Sequence, residues 1–299
     1  MSDPFIIETA GLHKNYDGIE ALRGLTLQVP AGSIFGFLGR NGAGKTTTIK
    51  ILLGLAKPTS GKAHVFGLDA DDQAASVAIR RRTAFVSDEK DLYDYMTVGE
   101  MIRFTASFFP KWRADMEERQ LRRFDLRRER PIKGLSRGMR TKLSLLLALC
   151  RGAELLILDE PTSGLDPVVT EEVLQALVSG VAGEAMTVFF SSHQISEVDQ
   201  IADHVAIIDR GQLAISGALD DLRQNYRRIQ LVFEGDAPNV KFHPAGVRRV
   251  QRKGRVLTIL SSAGTEQILD EAKRYRPVSI DVVPVTLKDI FLETVAAED

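Results

Sequence analysis

The chain contains one cysteine, one tryptophan and almost no net charge, and each scarcity removes a class of protein. A lone Cys150 excludes a disulfide framework within the chain and makes a cysteine-ligated metal cluster untenable. It follows the apolar run Leu145-Leu146-Leu147-Ala148-Leu149 and reads as an inert core thiol, compatible with a reducing cytosol. No stretch approaches the roughly eighteen consecutive apolar residues of a membrane-spanning helix. The amino terminus lacks the basic segment and apolar core of a signal peptide. Membrane association is therefore expected through a partner or a surface contact. The 39 basic residues nearly cancel the 40 acidic ones, for a formal charge of −1, and give no case for a general nucleic-acid-binding surface. Neither a tandem duplication nor a long low-complexity linker is visible.

What the chain does have is length and apolar content. Its 299 residues, 44% of them apolar, suffice for one large domain or a large and a small one. The most informative stretch is Gly39-Arg40-Asn41-Gly42-Ala43-Gly44-Lys45-Thr46, which fits the spacing G-x-x-x-x-G-K-[ST] of a phosphate-cradling loop. It follows the mostly apolar Ser33-Ile34-Phe35-Gly36-Phe37-Leu38 and precedes a helix expected to run through Leu53. Glycines let backbone amides converge on phosphate oxygens, and the helix beginning near Lys45 adds its positive end. Lys45 is expected to reach the β- and γ-phosphates and Thr46 to offer its hydroxyl to Mg²⁺. Thr47 either bonds phosphate or helps open the helix.

Further strands are expected over Glu20–Val29, within Thr59–Gly67, over Arg82–Val86, Leu155–Pro161, Met186–Phe190 and Val205–Asp209. Beyond Thr97-Val98 the pattern turns helical, with Pro110 and Pro131 bounding separate helices and another helix over Arg140–Cys150. Apolar strands alternating with helices indicate an α/β sheet with binding groups at its strand ends. After Leu222 the pattern changes. Strands at Ile229–Phe233, Val256–Leu260 and Ile280–Val283, with a helix over Thr265–Lys273, suggest a small α+β subdomain. Its basic stretch Arg248, Arg249, Arg252, Lys253 and Arg255 reads as the solvated flank of a hairpin, with nucleic acid or anionic lipid as the alternative contact.

Three further constellations carry chemistry. Asp159 and Glu160 end an apolar strand, so their side chains should diverge: Asp159 toward Mg²⁺, Glu160 toward an attacking water. The bland reading is an acidic cap before Pro161. His193 ends another strand and could bond a γ-phosphate, although a lone histidine there is more often structural. Leu135-Ser136-Arg137-Gly138-Met139 offers a hydroxyl, a glycine amide and a helix terminus as a second anion-binding surface, or simply a helix cap. Asp166, after Ser163-Gly164-Leu165, would pass for a turn residue on its own.

In their order these motifs resemble the ATP-binding subunit of an ABC transporter, of the subtype serving drug, antibiotic and lipid export, over roughly residues 5–220. The resemblance implies a P-loop NTPase with an ABC-type core sheet, in an ATP-binding domain over residues 1–222. A helical subdomain is expected at about 90–150 and an accessory α+β subdomain at 223–299. It implies ATP and Mg²⁺ as cofactors, and Glu160, His193 and Lys45 as the catalytic group. Two subunits, identical or different, would pair head to tail. Each ATP would then lie between Lys45 of one and Ser136, Gly138 and Met139 of the other, with Asp166 nearby and Tyr16 stacked on adenine.

The chain departs from the family pattern at three places. Arg137 replaces the usual first glycine of the signature loop, Met139 its glutamine, and the metal-sensing glutamine falls in Val86-Ser87-Asp88-Glu89-Lys90. There Asp88 or Glu89 becomes the candidate for contact with Mg²⁺ or water, against a solvent-facing acidic turn. Leu92–Thr97 and Phe108–Trp112 resemble the surface that receives polytopic transmembrane subunits, or else supply ordinary core aromatics. The resemblance places the chain on the cytoplasmic face of a cell membrane, with no nucleic acid expected. A non-transport ABC ATPase acting on nucleic acid or ribosomes, and a regulatory nucleotide-binding module, are the alternatives. The segment 223–299 would serve regulation, dimerisation or stability.

Overall fold

The computed structural model describes residues 5–89, 91–181 and 186–295, so Lys90 of the acidic loop lies outside the described residues. The chain divides between Ser216 and Gly217, and the composition change after Leu222 lies inside the second unit.

The first unit begins with two long strands, β1 (Phe5–Tyr16) and β2 (Ile19–Pro30), followed by β3 (Ile34–Leu38) and α1 (Lys45–Leu52). Then come β4 (Ser60–Val65), β5 (Leu68–Asp69), α2 (Gln73–Arg82) and β6 (Thr83–Val86). The helical segment holds α3 (Val98–Ala106), α4 (Ala114–Arg123), a 3₁₀ turn at Ile132–Gly134 and α5 (Arg137–Cys150). The unit closes with β7 (Leu155–Asp159), α6 (Pro167–Val181), β8 (Thr187–Ser192), α7 (Ile195–Ile201), β9 (His204–Asp209) and most of β10 (Gln212–Ala218), whose last two residues fall in the second unit.

Two sheets form the core. The antiparallel sheet has the order β2-β1-β4-β5. The second has the order β10-β9-β3-β8-β7-β6, and β9, β3, β8, β7 and β6 run parallel. Every residue of β3, β7 and β8 is buried, as uninterrupted apolar runs covered on both faces require. Gly36 makes that cover possible, because a Cβ there would lie 2.4 Å from Val198 Cγ1 on α7. In the order β3-β8-β7, Leu38 stands beside Ser192 and Asp159 beside Ser191, so three strand ends meet along one edge.

The second unit contains α8 (Leu219–Asn225), β11 (Arg227–Val232), β12 (Val247–Lys253), β13 (Val256–Ser261), α9 (Thr265–Lys273), β14 (Ser279–Pro284) and α10 (Leu287–Val295). Its antiparallel sheet has the order β12-β13-β11-β14. The basic stretch is thus mostly an edge strand. Alternate residues Ile229, Leu231, Leu257 and Ile259 pack against Ile268 and Ala272 of α9.

Candidate nucleotide site

The loop leaving β3 turns into α1 at Gly44, whose φ of 108° is open to glycine but strained for any residue with a Cβ. Gly39, Ala43 and Gly44 are buried, whereas Arg40, Asn41, Gly42 and Thr46 face solvent. Lys45 is 6% exposed. Its ammonium donates to Gly39 O at 2.7 Å and Arg40 O at 3.2 Å, so it folds back along its own loop. It also faces Glu160 Oε1 at 3.0 Å.

Glu160 follows the last residue of β7 with φ 48°, a left-handed conformation that swings its side chain away from that of Asp159. The divergence expected for the acidic pair is therefore a backbone turn. Asp159 is buried and accepts from Ser191 Oγ at 2.6 Å, while the same hydroxyl accepts from Glu160 N at 3.0 Å. Glu160 Oε2 bonds His193 Nδ1 at 2.7 Å. An ionised carboxylate only accepts, so the proton of that bond sits on Nδ1. Lys45, Glu160 and His193 thus meet although they leave three different strands.

These groups share a cleft of about 490 Å³ with Asn41, Gly42, Gly44, Thr46, Thr47, Asp88 and Ser163. Ile19, Glu20 and Ala21 complete its wall. No sequence signal pointed to those three. Tyr16 pairs with Ile19 at the neighbouring hairpin; it is 41% exposed, with Lys14 Nζ 4.6 Å from its ring centre.

Two supports also escaped sequence reasoning. Ser191 joins Asp159 to the Glu160 backbone, and the buried Glu197 accepts from Ser192 Oγ at 2.7 Å, behind the His193 turn. Ser192 O in turn accepts from Gly39 N at 3.2 Å.

The second anion-binding loop does not line this cleft. Ser136 caps α5, accepting from Met139 N at 3.3 Å, and the helix begins at Arg137, three residues before the expected start. Gly138 packs closely on Val169, leaving 3.1 Å for an added Cβ. Asp166 Oδ1 accepts from Val168 N and Val169 N, at 3.0 Å each, and so opens α6. The helical segment also carries a stack of exposed rings: Tyr93–Tyr95, Tyr93–Phe104 and Phe104–Phe108 centres lie 5.5, 5.6 and 5.1 Å apart. Trp112 is tied inward, donating to Glu117 Oε2 at 2.7 Å.

Among the described residues no three His, Cys, Asp or Glu side chains cluster as a self-sufficient metal site. The donors around the cleft are oxygens: the Thr46 hydroxyl, the Asp88 carboxylate and, behind the β7 end, Asp159. Few protein oxygens plus phosphate and water is the set a small hard cation such as Mg²⁺ takes.

A phosphate loop opening a helix, with an acid and a histidine held opposite its lysine, defines an ATPase of the α/β phosphate-loop class. Residues 22–163 match the family described as ABC transporter, and residues 217–295 the family described as ATP-binding protein DrrA1-3-like, C-terminal domain. The bacitracin transport ATP-binding protein BcrA of Bacillus licheniformis is 33% identical over 295 residues, covering 96% of this chain and 95% of that protein. The daunorubicin/doxorubicin resistance ATP-binding protein DrrA of Streptomyces peucetius is 36% identical, covering 73% of this chain and 67% of its own. A solved structure of an ATP-binding subunit of an ABC transporter superposes with a TM-score of 0.65 at 29% identity, covering 73% of this chain and 92% of that one. The chain belongs to the ATP-binding subunits of ABC transporters, whose ATP hydrolysis powers transport through transmembrane partners. No helix among its described residues is long and apolar enough to cross a membrane.

Proposed function

We propose that this ATPase drives export, working as a closing pair of subunits on the cytoplasmic face of a membrane. The observation that carries the reading is the convergence of Lys45, Glu160 and His193 on one cleft. Export is supported by relatives named for bacitracin transport and for daunorubicin/doxorubicin resistance, the first aligned along nearly the whole chain.

ATP enters with its phosphates on the amides of Gly39–Thr46, and Lys45 exchanges Glu160 for phosphate oxygens. Thr46, with Asp159 and Asp88 directly or through water, would hold Mg²⁺, which would supply neutralisation of the phosphate charge. Glu160 accepts the proton of a water whose oxygen bonds to the γ-phosphorus as the bond to the β–γ bridging oxygen breaks and ADP leaves. His193 holds the Glu160 carboxylate through Nδ1; bonding the γ-phosphate at the same time requires a second proton on Nε2. Tyr16 stacks on adenine, which gives orientation with little base specificity.

The Ser136 loop, standing apart from this cleft, serves the ATP of a second identical subunit, with Ser136, Gly138 and Met139 at its phosphates and Asp166 at the shared edge. We place an ATP-binding domain in residues 1–222 and an accessory subdomain in 223–299, on the composition change after Leu222. The exposed rings of Tyr93, Tyr95, Phe104 and Phe108 form a docking patch for a polytopic membrane subunit, since a contiguous aromatic surface gains most from being covered.

Replacing Glu160→Gln in the purified assembly is expected to preserve ATP binding and to slow hydrolysis by about 100-fold or more, the scale of losing a catalytic base. Turnover equal to the unaltered protein removes Glu160 from the central role. Gentle extraction should recover a membrane subunit whose substrate stimulates hydrolysis. Recovery of ribosomes or DNA instead overturns the transport reading.

A further inference from the structure

Asp88 and Arg137, which both depart from the family pattern, are brought together by the fold. Arg137 Nη2 lies 3.7 Å from Asp88 Oδ1. The same guanidinium rests on Gly164, in the loop after the Asp159-Glu160 pair, where an added Cβ would fall 2.7 Å from Nη1 and 2.9 Å from Cζ. Gly164 leaves that seat open, whereas a side chain there would push the flexible guanidinium aside. One cation at the first turn of α5 therefore touches both loops that border the cleft, through Asp88 on one side and the neighbour of Ser163 on the other.

The loop at 87–91 has a second exposure. Ser87, Glu89 and Asp91 line a groove of about 220 Å³, whose other walls include Leu92, Thr105 and Phe109 of the helical segment. Among the described residues of this loop, Ser87, Glu89 and Asp91 thus line the groove and Asp88 lines the nucleotide cleft. Arg137 has competing acids, because Glu89 and Asp91 share a depression with Asp88, whereas its neighbour Arg140 is already committed to Asp94 at 2.6 Å. At 58% and 49% exposure the Arg137–Asp88 pair is weak and screened by salt, which suits a contact made and broken during turnover better than a static brace.

We propose that Arg137 is a positioning residue that ties the 87–89 loop to the 163–166 loop within one subunit, so that displacement at the groove reaches the cleft holding Glu160. The proposal rests on the assignment of that cleft as the hydrolytic site. Glycine, usual at this position in the family, has no side chain with which to make the tie. The Asp88 carboxylate is the partner that an amide would replace only weakly.

The test uses the full chain and compares Arg137→Ala, Asp88→Ala, the double replacement and the exchange of Asp88→Arg with Arg137→Asp. Arg137→Ala is expected to lower kcat by about two- to five-fold, the scale of an exposed ion pair, with the KM for ATP nearly constant, whereas Asp88→Ala also removes a Mg²⁺ contact under the proposed function and should lose more. The double replacement should be no worse than Asp88→Ala alone, the exchange should regain the tie between the loops although not the Mg²⁺ contact, and high salt should shrink the effect of Arg137→Ala. Amide hydrogen exchange, which needs no hydrolysis, should speed up in residues 87–89 and 162–166 of Arg137→Ala while β7 stays protected. Multiplicative losses in the double replacement overturn the proposal, since Arg137 then acts independently of Asp88. So does unchanged exchange in 162–166. If Glu160→Gln hydrolyses ATP normally, it is the assignment of the cleft that fails, and the exchange measurement still decides whether the loops are tied.

Discussion

The two units use β-sheet and ion pairs to opposite ends. In the first, the parallel strands β3, β7 and β8 are buried along their whole length, and their chemistry sits just beyond their ends. In the second, the inner strands β11 and β13 mix buried and partly buried residues, while β12 and β14 are largely exposed. Its charges lie on the sheet face itself. Arg228, Leu260 and Arg249 stand side by side across three strands, and Asp289 and Glu293 of α10 pair with the two arginines. The Lys45–Glu160 pair, at 6% and 13% exposure, holds a cation and an acid that the proposed reaction separates. The Arg228–Asp289 pair, at 30% and 24%, only fastens a helix. What distinguishes them is whether a cleft opens beside the pair, because a ligand can then displace one partner.

The largest effect expected from that contrast is on Lys45→Ala. Losing the buried cation should lower ATP affinity and cut hydrolysis by about 100- to 1,000-fold, as for removal of one preorganised charge-stabilising donor. Isothermal binding and phosphate release check it, and unchanged values would make the pair in the first unit as structural as that in the second.

Next comes Ile259→Ala, which empties part of the core beneath α9. It should destabilise the second unit by about 2–5 kcal/mol in denaturant titration. Retained ATP binding by this variant would sharpen the separation of roles, and loss of binding would break it.

The smallest effect belongs to Asp289→Asn, about 0.5 kcal/mol or less for a part-exposed pair. Burial pushes the Asp289 carboxyl upward, but the Thr286 amide, the Arg228 guanidinium and the Thr286 hydroxyl together hold it below the ordinary aspartate value. A depressed folded value adds stability at neutral pH, which fades as pH falls through the aspartate range toward that value. The replacement should flatten this acid-side slope, measured as unfolding midpoint against pH.

Much of the site was legible along the chain. Each of Gly39–Thr46, Asp159-Glu160 and His193 lies near the end of a short apolar run, and each of those runs forms a buried strand with its polar residues at or past the edge. Other features were not legible, for definite reasons. Ser191 reads as a strand-end serine until β8 is placed between β3 and β7, where its hydroxyl meets Asp159. The start of α5 at Arg137 is set by the Ser136 cap, whereas the sequence reading places it at Arg140. Residues 248–253 read as a solvated flank because their charges hide the strand; β12 is at the sheet edge, where long basic side chains can stay in water.

The sequence by itself determined that a phosphate loop, an acid pair and a histidine stand at strand ends, because those signals need only a few neighbouring residues and local backbone geometry. Tertiary structure alone decided which of them meet. The order β3-β8-β7 brings Lys45, Glu160 and His193 together across more than a hundred residues of chain, and the seat on Gly164 brings Arg137 within reach of Asp88. Side-chain convergence depends on strand order and on how closely loops approach, and neither is written in any one segment.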